Sequence, residues 1–205
     1  MATTAAPYGL VPVRKADGSP YSGARDAFLI IPAGIAQNIG YGSIVFLNAG
    51  FVELSVKSGS ANNANNFGGA ASIGAIGVFV GCEYVNSEGQ LIFAQFYPSG
   101  QANATAYVIT DPGVTFQVQA DGAIAQAALG HNAPLTGAQN ATTSINTTTG
   151  KSKVALDATT ATATKSFKVV GFSTKAGSTI GDAKTDVLVK FNLPYHQFGT
   201  GVVGE

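Results

Sequence analysis

Two histidines are the side chains best suited to acid–base or nucleophilic chemistry in this sequence. His131 lies in the turn-like segment Leu129-Gly-His-Asn-Ala-Pro134, and His196 lies near the end of the chain. Nucleophilic catalysis needs a nucleophile, a base and an orienting group, and neither histidine is accompanied by a Gly-x-Ser-x-Gly motif. We therefore interpret both as structural turn or interface histidines. The sequence predicts no catalytic site and no enzymatic activity.

The single cysteine is the remaining candidate nucleophile. Cys82 lies in Val80-Gly-Cys-Glu-Tyr84, within a strongly apolar segment that predicts a strand. In such a strand a cysteine acts as a small hydrophobic side chain, so we expect it to face a core or a sheet face. One cysteine also excludes an intrachain disulfide and a multi-cysteine metal cluster.

The acidic and glycine-rich segments predict neither a metal site nor a cofactor site. Acidic residues number eleven, and many stand beside glycine or proline, as in Asp17-Gly18 and Asp111-Pro112, which is typical of turns. The calcium-loop pattern Asp-x-Asp-x-Asp-Gly is absent. Gly68 to Gly77 contains no Gly-Lys-Ser/Thr or Gly-x-Gly-x-x-Gly phosphate-binding motif.

Composition indicates a chain that associates with other proteins. Eleven basic residues balance eleven acidic ones, charged residues are 11% of the total, and the mean hydropathy is +0.21. Zero net charge excludes general electrostatic capture of nucleic acid, and it also leaves little repulsion between copies. Every apolar run is too short to span a membrane, and residues 1–7 lack the features of a signal peptide. We expect synthesis in a cytoplasm, self-association, and no nucleic-acid or membrane partner.

Short apolar runs separated by glycine, asparagine and proline predict an all-β protein, a sandwich or barrel of about ten short strands. The continuously apolar runs, such as Ile44-Val-Phe-Leu47, predict strands covered on both faces, by a second layer or by a neighbouring subunit. At most one short helix is expected, over 124–129 before Gly130. Turn residues predict hairpins at 76–97 and at 106–119. The ten predicted strands are 27–31, 43–47, 51–57, 76–85, 91–97, 106–110, 114–119, 151–156, 166–173 and 186–192.

The predicted organisation is one β domain with an extended arm at each end. The domain covers 27–192, with exposed loop excursions at 58–69 and 137–164, which are rich in Asn, Ser, Gly and Thr. Residues 1–26 and 193–205 are the arms, because both are apolar and interrupted by proline and glycine. Each arm either returns to its own core or crosses to a neighbour. The candidate contact residues with a partner or a second subunit are Tyr8, Leu10, Val11, Val13, Arg14, Arg25, Tyr195 and Phe198.

Ten segments follow one another along nearly the whole chain: Tyr8-Gly-Leu-Val-Pro-Val-Arg14, Gly18-Ser-Pro-Tyr-Ser-Gly-Ala24, Gly77-Val-Phe-Val-Gly-Cys-Glu-Tyr84, Phe93-Ala-Gln-Phe-Tyr-Pro98, Asp111-Pro112, Phe116-Gln-Val-Gln-Ala-Asp121, Gly130-His-Asn132, Thr149-Gly-Lys-Ser152, Leu156-Asp157 and Val187-Leu-Val-Lys-Phe-Asn192. Together they make the sequence resemble the head decoration (capsid cement) proteins of tailed bacteriophages. The resemblance implies a β-rich, non-catalytic protein that is made in a bacterial host cytoplasm, binds the outer capsid surface as a homo-oligomer and bridges neighbouring major capsid subunits. We favour a trimer over a dimer, with the eight contact residues named above facing the capsid or a second subunit.

An alternative function from a different class is a carbohydrate-binding or host-adhesion module displayed on the virion. Its recognition surface would be the Asn- and Thr-rich loops, around 62–66 and 142–149. The chain contains no Trp, the side chain that stacks most extensively on sugar rings, so we prefer the decoration hypothesis.

Overall fold

Antiparallel β-strands make up most of the computed structural model, which describes residues 4–54, 74–136, 145–160, 165–174 and 177–198. The predicted all-β class is confirmed as a sandwich-like arrangement, and helical structure in the described ranges is limited to the 3₁₀ turns Gln126–Ala128 and Leu193–Tyr195. The strands are β1 Val11–Arg14, β2 Asp26–Leu29, β3 Ile44–Asn48, β4 Phe51–Leu54, β5 Gly77–Val85, β6 Leu91–Ala94, β7 Thr105–Ile109, β8 Thr115–Gln119, β9 Asn132–Ala133, β10 Leu135–Thr136, β11 Ile145–Asn146, β12 Lys151–Ser152, β13 Ala155–Leu156, β14 Phe167–Phe172 and β15 Asp186–Phe191.

Two larger sheets form the layers. One has five strands in the order β1-β8-β15-β14-β9. The other has six, in the order β2-β7-β5-β3-β4, with β6 paired to the second half of β5. The short strands β10 and β13, and β11 and β12, form two small ladders beside them.

The apolar core consists of two clusters, one on each face of the six-stranded sheet. The first lies between the two sheets and contains Ile44, Val78, Phe116 and Phe167. The second lies on the other side and contains Val45 and Phe79 among others. The prediction that Ile44-Val-Phe-Leu47 is covered on both faces is therefore confirmed for Ile44, Val45 and Phe46, which are buried within the single chain.

The six-stranded sheet curls around the second cluster. A single parallel bridge between Ile30 and Val52 brings its two edges near each other, but no strand ladder joins them, so the sheet is not a closed barrel. Residues 30–39 cross the concave side. Tyr97, fully buried there, accepts a hydrogen bond from the Ile35 amide (3.1 Å) and donates one to the Gln101 carbonyl (2.7 Å).

One predicted hairpin forms and the other does not. β5 and β6 pair from Cys82–Ala94 to Val85–Leu91 around the turn after Asn86, as predicted. The turn at Asp111-Pro-Gly113 instead connects β7 of one sheet to β8 of the other. The turn residues correctly predicted a chain reversal, but the apolar faces of β7 and β8 pack across the first core cluster rather than edge to edge.

The N-terminal segment forms an edge strand of its own sheet, so of the two alternatives for this arm the structure shows the return to its own core. β1 pairs with β8 from Val11–Gln117 to Arg14–Thr115, with a register irregularity after Pro12. Proline is tolerated because β1 is at the sheet edge. Gly9 has φ +74°, and a Cβ there would lie 2.8 Å from the Ser152 Cβ, so a close crossing holds the segment against the body.

The C-terminal segment also returns to its own chain. His196 forms a parallel bridge with Ala75. The Gln197 side chain accepts a hydrogen bond from the Leu47 amide (2.9 Å) and donates one to the Leu47 carbonyl (3.3 Å). The segment therefore pairs through its backbone with the residues just before β5 and reaches β3 only through the Gln197 side chain. Residues 199–205, the last part of the predicted arm, lie outside the described residues, as do residues 58–69 and, within the Thr-rich excursion, 137–144 and 161–164.

Replacing Leu10 should destabilise the protein as a core substitution does. Leu10 is fully buried in the first cluster, so Leu10→Ala should lower the free energy of unfolding by about 2–5 kcal/mol. Val13→Ala, in the same strand but 38% exposed, should lower it by less than about 1 kcal/mol. Urea unfolding followed by circular dichroism measures both. Equal small effects would show that the segment does not belong to the core.

Candidate functional site

The predicted contact residues divide into a buried and an accessible group. Leu10 and Tyr195 belong to the first core cluster, so we correct their assignment: neither side chain has surface to offer a partner. Their apolar character, which suggested interface anchors, is used to hold the two terminal segments on their own subunit.

Tyr8 and Val11 are half-buried at the junction of β1 with the body. The Tyr8 hydroxyl donates to Asp186 Oδ1 (2.9 Å) and accepts from Gln117 Nε2 (2.9 Å). Burial raises the pKa of Tyr8 above its ordinary value, so the phenol stays protonated. With Gln117 and Lys151 these residues line a surface depression of about 330 Å³.

The four remaining predicted residues are accessible: Val13, Arg14, Arg25 and Phe198, the last being 61% exposed. We call Val13, Arg14 and Phe198 the terminal surface, because Arg25 instead lies over the Tyr107 ring on the six-stranded sheet. The structure brings the segments that carry them to the same end of the molecule, around the turn at 111–113. Ala16, in the loop after β1, packs so closely on Gly113 that a Cβ there would lie 2.8 Å away.

Charges near this turn confirm that both termini converge on it. The carboxylate of Asp111 lies near enough to favour the charged form of His196 in the C-terminal segment. It likewise disfavours ionisation of Tyr21 in the N-terminal segment. Thr110 donates a hydrogen bond to the carboxylate of Asp26. Residues about 180 positions apart in the sequence thus border one turn.

A second accessible feature, which the sequence did not reveal, is an apolar region on the convex side of the six-stranded sheet. Register places Phe93, Glu83, Thr105 and Leu29 in one row across β6, β5, β7 and β2. Val85 and Leu91 form the adjacent pair. Leu29, Val85, Leu91 and Phe93 are between 50% and 68% exposed. We call these four side chains, with Glu83 and Thr105, the open face.

A polar group borders the open face. The Arg25 guanidinium lies over the Tyr107 ring, 4.0 Å from its centroid, which is a cation–π contact. The Tyr107 hydroxyl donates to Glu83 Oε2 (2.6 Å), and this bond raises the pKa of the phenol. These contacts hold Arg25 and Tyr107 beside Glu83, which itself lies in the row of the open face between Phe93 and Thr105.

The sequence did not predict the open face, because apolar and polar residues do not alternate along β6. Leu91-Ile-Phe-Ala94 is apolar throughout, which predicts a strand buried on both faces. In the structure Ile92 and Ala94 face the second core cluster side, and Leu91 and Phe93 face solvent. Sequence periodicity carries no signal that separates these two outcomes.

Cys82 is buried, as predicted. Its thiol donates to the Phe96 carbonyl (3.4 Å), and burial raises the pKa of the thiol to about 12. A nucleophilic thiolate is therefore disfavoured at neutral pH.

His196 is a buried structural histidine. Its Nδ1 accepts a hydrogen bond from the Phe198 amide (3.2 Å), so the neutral ring carries its proton on Nε2. Within the described residues Nε2 has no hydrogen-bond partner, although the carbonyls of Ile76 and Thr110 are nearby. Phe191 packs edge-on against the ring at 5.4 Å. Burial lowers the pKa of His196 to about 4, against the opposing effect of Asp111.

Other kinds of site were sought in the described ranges. They hold no group of three or more His, Cys, Asp or Glu side chains placed to bind a metal ion. No helix in these ranges has the length and hydrophobicity to span a membrane. Comparisons with known family models, curated proteins and solved structures found no match to this chain.

The buried thiol should be protected from reagents in the native protein. With its pKa raised to about 12 and its side chain enclosed, Cys82 should react with Ellman's reagent at least about a hundredfold more slowly in the native state than in guanidinium chloride. The measurement is absorbance of the released thiolate over time. Equal rates in both states would show that the thiol is accessible.

His196 should make stability depend on pH. Its pKa is lower in the folded state (about 4) than the ordinary 6.5, so the unfolded chain binds more protons between these values, and stability falls as pH drops from 6.5 to 4. The contribution lost is roughly 2–3 kcal/mol. Chemical unfolding at pH 7 and pH 4.5 should show a smaller pH-dependent loss in His196→Gln than in the wild type. A loss of stability between pH 7 and pH 4.5 that is as large in His196→Gln as in the wild type would contradict this prediction.

Proposed function

We propose that this chain is a head decoration protein of a tailed bacteriophage, a structural rather than enzymatic protein that binds the outer surface of the assembled capsid. In this proposal it bridges neighbouring major capsid subunits as a homo-oligomer and strengthens the shell. The proposal draws its identity from the family resemblance of the sequence, and its physical basis from the accessible surfaces of the fold.

The observation that carries the proposal is the convergence of the two terminal segments at one end of the sandwich. Val13, Arg14 and Phe198 are exposed on segments that flank the 111–113 turn, and each segment is anchored by a buried neighbour, Leu10 or Tyr195. Anchored side chains lose little conformational entropy on binding, which favours affinity. Arginine and phenylalanine suit contact with a protein surface.

A lattice explains why modest contacts suffice. A capsid presents the same site many times, and an oligomer that engages two or three sites at once gains avidity without any additional contact within each site. The near absence of net charge is compatible with close spacing of copies on such a shell.

The alternative, a virion-displayed carbohydrate-binding or adhesion module, depends on the loops around 62–66 and 142–149, of which 62–66 and 142–144 lie outside the described residues. No described contact favours it, so the decoration hypothesis is retained.

The direct test incubates the purified chain with undecorated heads of the phage that encodes it and counts bound copies by cryo-electron microscopy with symmetry averaging. Density at regular lattice positions supports the proposal. Absence of binding at saturating protein overturns it, and binding to tails or to host glycans in the same preparation would redirect the assignment to adhesion.

Substitutions at the terminal surface should weaken head binding without affecting the fold. Arg14→Glu removes charge-assisted contacts, and Phe198→Ala removes an apolar anchor, so each should raise the concentration for half-occupancy about tenfold or more. Lys168→Glu, at an exposed position of β14 on the same five-stranded sheet, is the matched charge reversal and should leave occupancy unchanged. Unaltered binding of both terminal variants would exclude this surface as the shell contact.

Deleting residues 1–13 is unsuitable for this purpose. The deletion removes most of β1 and the core residue Leu10, so it perturbs folding as well as surface contacts.

A further inference from the structure

We propose that the open face is the contact through which two copies of this chain associate about a two-fold axis. The inference deepens the proposed function and rests on its self-association element, since it specifies which surface meets a second copy. The open face does not include Val13, Arg14 and Phe198, so these three side chains remain available to bind the shell.

The open face continues a surface of the six-stranded sheet that the five-stranded sheet already covers in part. On β5, Val78 packs in the core between the two sheets, and its β7 partner Ile109 belongs to the same cluster. Beyond the bulge between Phe79 and Gly81, the same side of β5 and β7 carries Glu83, Val85 and Thr105, where the five-stranded sheet no longer covers it. A second copy would continue, at the usual spacing of about 10 Å between packed sheets, the cover that the first layer begins.

The exposed apolar area of the open face is close to the area that a stable dimer contact requires. Four side chains of roughly 150–200 Å² each, exposed by 50% to 68%, leave on the order of 400 Å² of apolar surface. Because a little over half of a typical interface is apolar, this corresponds to a footprint of about 700 Å² on each copy. A stable standard-size interface buries about 800 Å² on each partner. The open face and its polar border therefore have the size of one such contact.

The charges on and beside the open face are complementary to those of a second copy. The open face is bordered by one fixed cation, Arg25, and contains one fixed carboxylate, Glu83, separated by the Tyr107 ring. A two-fold contact pairs a surface with itself, so residue i of one copy meets j of the other and the reverse. A surface with one charge of each sign is complementary to its own copy, because each Arg25 can meet the other copy's Glu83.

The geometry points to a dimer rather than the trimer that we favoured from the sequence. A trimer requires two different complementary surfaces on every copy, whereas one self-complementary surface closes as a pair. Once two open faces are joined, the most exposed aromatic side chain of the described residues, Phe93, is removed from water.

The test measures the mass of the full chain in solution by sedimentation velocity, without capsids. We expect the wild type to be a dimer, and Leu91→Glu and Phe93→Glu to be monomers with dimer affinity reduced at least about a hundredfold. Leu129→Glu is the matched control: Leu129 is 47% exposed in the turn after Gln126–Ala128, away from the open face, and its variant should remain a dimer. Thermal unfolding by circular dichroism verifies that each variant is folded.

Mixing two charge variants isolates contacts between copies from contacts within one copy. Arg25→Glu alone and Glu83→Arg alone each place like charges across the contact, so each should weaken self-association about tenfold or more. In an equimolar mixture, the carboxylate introduced at position 25 of one chain meets the guanidinium introduced at position 83 of the other. The native Glu83 of the first chain meets the native Arg25 of the second, so both cross-contacts become attractive. The mixture should therefore form heterodimers with affinity near that of the wild type, which an effect on folding alone does not produce.

A monomeric wild type, a trimer, or a dimer unaffected by Leu91→Glu and Phe93→Glu would each overturn the two-fold contact, and so would failure of the mixture to associate. Head binding is measured separately. A dimer that depends on the open face but does not bind heads would refute the decoration role and leave this contact intact. Head binding by a wild type that is monomeric in solution would do the reverse.

Discussion

The six-stranded sheet has apolar side chains on both faces, and the requirement to cover both faces governs the rest of the structure. Burial of apolar surface is the dominant favourable contribution to folding, and few charged residues are available to make either face compatible with water. One face is covered by the five-stranded sheet and the other by the curl of the sheet itself with residues 30–39. The bulge after Phe79 marks where the first cover ends.

The terminal segments are part of this cover. Leu10 and Tyr195 enter the core between the sheets, and Gln197 satisfies both backbone polar groups of Leu47 at the end of β3. His196 occupies the same region as a neutral, buried ring, with the backbone of Ile76 and Thr110 beside it and the Phe191 ring packed edge-on against it. The termini are thus structural elements first, and only their outermost side chains remain for recognition.

The exposed side chains form two separate surfaces, and in the proposed function one binds the shell and the other binds a second copy. Val13, Arg14 and Phe198 flank one turn at the end of the sandwich, whereas Leu29, Val85, Leu91 and Phe93 lie on the side of the curled sheet. A protein that bridges subunits of a lattice needs both kinds of surface, one for the lattice and one for its own copies. Because each surface is carried on strands or on segments anchored in the core, both are held in defined orientations.

The sequence by itself determined the fold class and most strand positions, because runs such as Phe51-Val-Glu-Leu54 and Asp186-Val-Leu-Val-Lys-Phe191 combine β-favouring side chains with clear turn signals. It also predicted the inert environment of Cys82 and the β5–β6 hairpin. Only the tertiary structure decided which strands pair: the Asp111-Pro-Gly113 turn crosses between sheets instead of closing a hairpin. Local turn chemistry specifies a reversal of the chain, but the partner of each strand depends on packing between residues distant in sequence. The same reason separates Leu10, which is buried, from Phe93, which is exposed: both are apolar residues in apolar segments, and their burial depends on whether another layer extends over them.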